Sequence, residues 1–251
     1  EGSLRNNIEL FGGEPFQSHH YQQIETIFAF ARKHKIVVTA TSNLAHLNLY
    51  YKLLLINRDC VGNISTTIDG DREFHNSRRK SRDNGATYDT VVNNINFLIK
   101  LKIQVTVTIN LDPTNFCQLE SFLSLAYKNN WTNNPLVRLE IGRVDDRLFE
   151  IPYSTYFSEA ELLKSLIDFD KKRKFPRNIK FAFLKTSEEL AKFFGFNFNQ
   201  NETGRAKGNY CWATSPIDKV FYIDSSLNVF RCTYSVGRED FQIGSLNESN
   251  N

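Results

Sequence analysis

The sequence predicts an α/β protein, a body of parallel strands with helices outside, followed by a small hairpin-bearing appendage. Three observations predict it. Apolar runs of strand length alternate with segments of helical period about five times before residue 196. Most of the strand-like runs end in small or polar residues. Beyond residue 196 the alternation gives way to a polar, cysteine-bearing stretch, which divides the chain into a β/α domain over 1–196 and a second module over 197–251.

The first unit is a strand from Ile8 to Phe11, then a helix in which Ile24, Ile27, Phe28 and Ala31 recur at the spacing of one face. The second is a strand from Ile36 to Thr41 and a helix from Leu44 to Ile56. A third strand, Ile64 to Ile68, is followed by a polar loop and a helix whose Val91, Ile95 and Leu98 share a face. Ile103 to Ile109 precedes the helix carrying Leu119, Phe122, Leu123 and Ala126. A fifth strand, Leu136 to Ile141, precedes a helix opened by the capping box Ser158-Glu159-Ala160-Glu161. Ile179 to Leu184 reads as a sixth strand, and a second capping box starts at Thr186. The polar stretch Asn197 to Asn209 leads into a hairpin of Lys219 to Ile223 and Asn228 to Cys232.

Composition narrows the function classes. With 41% hydrophobic and 24% charged residues the chain is in the range of folded domains. No apolar window reaches the roughly 20 residues of a membrane helix, and no signal peptide opens the chain, so the expectation is a cytoplasmic protein without a membrane partner. The 31 Lys+Arg and 28 Asp+Glu are spread along the sequence, giving a net charge of +3 and no basic face for nucleic acid. Lys171-Lys172-Arg173-Lys174 follows a helical segment, where cations favour the C-terminus. Sequons such as Asn63-Ile64-Ser65 read as accidents of composition. The chain contains no Met, opens close to a strand and stops after a turn, so it reads as a piece truncated at both ends.

In parallel β/α proteins ligands lie beyond the C-terminal strand ends. Here those ends are Gly12-Gly13-Glu14-Pro15, Thr41-Ser42-Asn43, Asp69-Gly70, Asn110 and Gly142-Arg143. The first is the sharpest, since two glycines let a ligand approach the backbone while a carboxylate accepts from an ammonium. His19, His20, His34, His46 and His75 form no metal-binding spacing and are expected at the surface or as caps. Cys60 and Cys117 are expected to pack, and Asp145-Asp146 to lie on a solvated loop.

The run Ile8 to Phe16 containing Gly12-Gly13-Glu14-Pro15 resembles the strand and turn of radical S-adenosylmethionine (SAM) enzymes. Thr41-Ser42-Asn43 is similar to that family's polar second strand end. Ile64 to Gly70, with His75 and Arg79, is similar to a stretch of its SPASM subgroup, as is Thr87-Tyr88-Asp89 after Gly85. Cys211, Phe221 to Asp224, Asn228 to Cys232 and Ile243 to Leu246 resemble the opening of a SPASM domain. The resemblance implies a partial (β/α) barrel and an enzyme that cleaves SAM reductively at a [4Fe–4S] cluster. The resulting 5′-deoxyadenosyl radical abstracts hydrogen from a peptide or small protein substrate, with a flavodoxin or ferredoxin as electron donor. It also implies that Gly12, Gly13, Glu14 and Pro15 hold the methionine ammonium. Thr41, Asn43, Ser65, Asp69, Arg79 and Asn110 then contact the rest of the cofactor, and Cys211 with Cys232 begin an auxiliary cluster site.

The chain departs from the family pattern in one respect that bears on activity. The family's CxxxCxxC cluster loop has no counterpart among Cys60, Cys117, Cys211 and Cys232. In the family that loop lies upstream of the glycine turn, so its ligands are expected before residue 1, and the later SPASM cysteines beyond Asn251. Leu227 also stands where the hairpin turn usually has glycine. The alternative is a non-catalytic β/α protein that has lost the loop and binds a peptide or partner. A hydrolase would need a nucleophile–base pair or metal set at the strand ends, and none is evident.

Overall fold

The computed structural model describes residues 7–81, 85–144, 155–182 and 221–247. Six strands lie side by side in chain order, each parallel to the next: β1 (Asn7–Leu10), β2 (Val37–Thr41), β3 (Val61–Thr67), β4 (Gln104–Leu111), β5 (Val137–Arg143) and β6 (Ile179–Phe181). The helices of the connections are α1 (Tyr21–His34), α2 (Tyr51–Ile56), α3 (Arg72–Arg78), α4 (Tyr88–Lys100), α5 (Gln118–Lys128) and α6 (Glu159–Lys172). Ile24, Phe28 and Ala31 are the buried residues of α1, and Val91, Ile95 and Leu98 are buried on α4, as their spacing predicts. The box opening α6 is formed, with Ser158 Oγ accepting from the Glu161 N–H at 3.2 Å and the Ser158 N–H donating to Glu161 at 2.8 Å.

Alternation along the strands separates two faces. Val38, Ala40, Ile64, Val105, Val107, Leu139 and Ile141 pack into one hydrophobic core with the helices. In register on the opposite face stand Thr41 beside Ser65, Thr67 beside Thr108, Thr108 beside Glu140, and Asn110 beside Gly142. One face of the sheet is therefore polar, with side chains such as Asn63 bonded along it, its Nδ2 donating to Ser65 Oγ at 2.9 Å.

Two expectations need correction. The polar loop after β3 contains α3, a helix the periodicity hides because His75 is its buried residue. The segment Leu44 to Ile56 is a 3-10 turn, Leu47–Tyr50, running into the shorter α2. The boundary expected near residue 196, the second capping box, the end of the sixth strand and Lys219 lie outside the described residues.

In the second unit, β7 (Tyr222–Ile223), β8 (Asn228–Phe230) and β9 (Gly244–Ser245) form an antiparallel sheet, so the hairpin has a third strand. Asp224 shapes the turn by accepting from the N–H groups of Ser226 (2.8 Å) and Asn228 (2.9 Å). Leu227 there adopts φ 65°, a left-handed conformation that glycine takes without steric cost.

Candidate functional site

β1 leads directly into the glycine turn. Gly12 and Gly13 have φ of 83° and 54°, and a Cβ on either would meet nothing described within 4 Å. Conformation, not crowding, selects glycine here, and the peptide groups stay exposed. The turn is anchored beyond Pro15. Phe16 is buried against Tyr50, ring centroids 5.0 Å apart, and the Tyr50 hydroxyl donates to the Gln17 carbonyl at 2.5 Å. Burial, helped by Tyr21 and Glu14 nearby, pushes the Tyr50 phenol up to about 12, so it remains a donor at neutral pH. His20 Nδ1 lies 3.2 Å from the Pro15 carbonyl, which only accepts, so that nitrogen carries the proton.

Glu14 reaches across to the end of β2. Its Oε1 accepts from the Phe16 N–H at 3.1 Å and the Ser42 hydroxyl at 2.6 Å, and its Oε2 accepts from the Asn43 N–H at 2.6 Å. These donors are neutral, so they orient the carboxylate without cancelling its charge. An ionised carboxylate offers about four acceptor positions. With three filled among the described residues, one on Oε2 suits a further N–H donor such as an alkylammonium. Ser42 is buried in register with the sheet, its N–H donating to the Ser65 carbonyl at 2.9 Å, while Thr41 and Asn43 are exposed.

The ends of β3 and β4 are built differently. Asp69, 3% exposed, accepts from Arg79 Nε at 2.5 Å. The wholly buried Asp112 just past β4 meets Arg78 at 3.2 Å and accepts from the N–H groups of Thr114 (2.7 Å) and Asn115 (3.1 Å). Between them, His75 Nδ1 accepts from the Asp69 N–H at 3.3 Å, which places the ring proton on Nε2, 3.2 Å from Thr87 Oγ1. The Thr87 hydroxyl in turn donates to the Arg79 carbonyl at 2.7 Å. Burial lowers the His75 pKa to about 4, with Asp69 opposing and Arg79 adding to the effect, so the ring is neutral. The expectation of a surface or capping His75 is thus corrected: it is 1% exposed.

On the polar sheet face, Asn110 lies beside Gly142, where a Cβ would overlap the Asn110 amide oxygen, so glycine makes room for that side chain. Glu140 shares this face, and burial raises its carboxyl above the ordinary value against the opposing pull of Arg138 and Thr108. Of the residues singled out in the sequence, Asn43, His46, His75, Arg79 and Thr87 line a cleft of about 260 Å³ together with Gln17. Thr41, Ser65 and Asn110 lie on the polar face, and Glu14 touches the cleft through Asn43. Sequence reasoning missed Ser42 as the partner of Glu14, although Ser42 sits between Thr41 and Asn43, where strand alternation turns the middle residue inward. It also missed Glu140, whose signal is a carboxylate inside an apolar strand.

The cysteines divide as follows. Cys60 is buried as expected, its thiol donating to the Asn57 carbonyl at 3.1 Å. Cys117, expected to pack, is exposed at the start of α5. Cys232 is partly buried in the second unit; Cys211 and Asp145-Asp146 lie outside the described residues. Among the described residues no three His, Cys, Asp or Glu side chains converge as metal ligands. No cluster ligand set is therefore assigned from this geometry.

A parallel β/α half-barrel with a glycine turn and an oriented carboxylate at its first strand end defines the class. The fold is a partial, TIM-like (β/α) barrel, shared with the solved structures that follow. The chain is similar to native anSMEcpe with bound AdoMet (TM-score 0.68, 18% identity, covering 98% of this chain and 65% of that one). It is similar to anSMEcpe with bound AdoMet and Kp18Cys peptide (TM-score 0.65, 17% identity, covering 97% and 64%). A third likeness is Streptococcus suis SuiB bound to precursor peptide SuiA (TM-score 0.64, 12% identity, covering 95% and 51%). The chain thus spans between 51% and 65% of the length of these structures. No family model matches the sequence, and no curated protein matches it. Among the described residues no helix is long and apolar enough to cross a membrane.

Proposed function

We propose that the chain is the SAM-binding part of a radical SAM protein that modifies a peptide or small protein. Residues 1–196 form the barrel portion and 197–251 the start of a SPASM-like domain. The observation that carries the reading is the Glu14 carboxylate, held by neutral donors with one acceptor position left, beside exposed glycine peptides at the end of β1. That environment favours a cation bearing N–H groups, as the methionine part of SAM does.

In this reading Gly12, Gly13 and Glu14 hold the ammonium and Pro15 fixes the exit of the turn. Arg79 spends Nε on Asp69 and lines the cleft, so its terminal nitrogens are the donors it offers to a carboxylate. Thr41, Asn43, Ser65 and Asn110 serve the nucleoside from the rim and the polar face. SAM bound at a reduced [4Fe–4S] cluster supplies a radical for hydrogen abstraction, the electron coming from a flavodoxin or ferredoxin. Cys211 and Cys232 belong to an auxiliary cluster site in this scheme. The chain's own residues bind and orient SAM.

Calorimetric titration of the 251-residue chain with SAM tests the reading. Glu14→Gln is expected to weaken binding about tenfold, the loss of one charge-assisted bond. Equal affinity in the two proteins would overturn it. Because the four cysteines contain no CxxxCxxC, the chain with dithionite is expected to release no 5′-deoxyadenosine. Release would overturn the proposed division of labour.

A further inference from the structure

We infer that Asn94 is a positioning residue for the Glu14 carboxylate, acting through the loop at the end of β2. The inference rests on the reading of Glu14 as an ammonium acceptor. Asparagine is a poor helix former and is costly to bury unless bonded. Asn94 nevertheless sits inside α4, 1% exposed, on the same face as Val91, Ile95 and Leu98.

Its amide bonds away from its own helix. Nδ2 donates to the Leu44 carbonyl at 2.7 Å, and Oδ1 accepts from the Tyr51 hydroxyl. Tyr51 is itself fixed on α4 by stacking on Phe97, ring centroids 3.6 Å apart. From Leu44 the path continues to the site. The Leu44 N–H donates to Ser42 Oγ at 2.9 Å, and that hydroxyl donates to Glu14 Oε1 at 2.6 Å.

Leu44 is the critical link. Its φ of 59° is left-handed, a conformation that residues with a Cβ disfavour. This bend turns the Leu44 N–H back onto Ser42 and lies next to the Asn43 N–H that meets Glu14 Oε2. The strained residue is pinned at both ends: its side chain is wholly buried, and its carbonyl takes Asn94 as well as the Leu47 N–H at 3.3 Å. Without Asn94 the bend loses its strongest tether and is free to relax, carrying two of the three Glu14 donors with it. The amide in the helix thereby sets the direction of a carboxylate it never touches.

The test is amide hydrogen exchange, read by NMR on the 251-residue chain. Asn94→Leu keeps the branched shape, at a somewhat larger volume, and removes the amide. It is expected to speed exchange at Asn43 about tenfold while leaving Val107 in β4 unchanged. In a Glu14→Ala background, where the Asn43 N–H has lost its acceptor, the same substitution is expected to add little. Should Asn94→Leu fail to fold, Tyr51→Phe, which removes only the donor to Asn94, is expected to raise Asn43 exchange by a smaller factor. Unchanged exchange at Asn43 in either folded variant overturns the inference.

A second readout separates positioning from general destabilisation. Asn94→Leu is expected to weaken SAM about tenfold and 5′-methylthioadenosine, which lacks the ammonium, less than about twofold. Equal losses for both would overturn positioning. If the wild-type chain binds neither compound, it is the ammonium reading that fails, and exchange at Asn43 still decides whether Asn94 orients Glu14.

Discussion

At the end of β1, Glu14 is half-buried and takes three hydrogen bonds from neutral groups, whereas at the ends of β3 and β4 the buried Asp69 and Asp112 lie against Arg79 and Arg78. A carboxylate oriented by N–H and O–H groups keeps its negative field. One paired with guanidinium does not, and the pair becomes part of the frame. In the function proposed above, the same side-chain chemistry serves docking on one half of the rim and construction on the other.

The largest expected effect breaks the constructed half. Arg78→Met leaves the wholly buried Asp112 without its arginine and should cost on the order of 3 kcal/mol in urea unfolding. A loss under about 1 kcal/mol would mean that β4 does not depend on this pair. Next, glycines on the two halves should respond differently. Gly70 combines φ 121° with a Cβ position overlapping Gln118, so Gly70→Ala should cost about 2 kcal/mol or more. Gly13 has open space and should cost about 1 kcal/mol on mutation to alanine. Similar losses at the two sites would erase the contrast.

Acid should also affect the constructed half. With a folded pKa of about 4 against 6.5 for an unperturbed histidine, His75 binds more protons in the unfolded chain between those values. Its contribution is therefore full above about pH 6.5 and is lost as pH falls toward 4, by up to about 3 kcal/mol. The urea midpoint followed over this window should drop in the wild type and drop less in His75→Gln. The smallest expected effect on stability is at the docking half: Glu14→Gln should shift unfolding by less than about 1 kcal/mol, so that its consequence appears in ligand affinity instead.

The sheet was legible because burial repeats at every second residue in strands and every third or fourth in helices. Ile24, Phe28 and Ala31, or Val91, Ile95 and Leu98, announce their helices without help. Where an element buries little, the signal disappears. The sequence Arg72 to Arg78 contains no apolar stripe, and α3 is instead held by the Asp71 cap on the Phe74 N–H (2.8 Å) and by His75. The glycine turn could be read because two consecutive positive φ values leave few residue choices. Ser42 and Asn94 could not, since a small hydroxyl at a strand end and a lone amide on an apolar helix face acquire meaning only once residues 28 and 50 positions away are brought beside them. Cys117 was misjudged for the opposite reason, because thiols are usually buried and nothing local marks the start of α5 as open.

Arg78 closes α3, and Arg79 follows as its C-cap with φ −121° and ψ 84°. The chain changes direction between them, which lets two neighbours in sequence reach two different strands. The connection from Asp69 to Arg79 therefore works as a fixed ruler. Inserting or deleting a single residue within it would put both guanidinium groups out of step with Asp69 and Asp112 at once. Over evolutionary time this connection should accept substitutions at its exposed positions while its length stays constant.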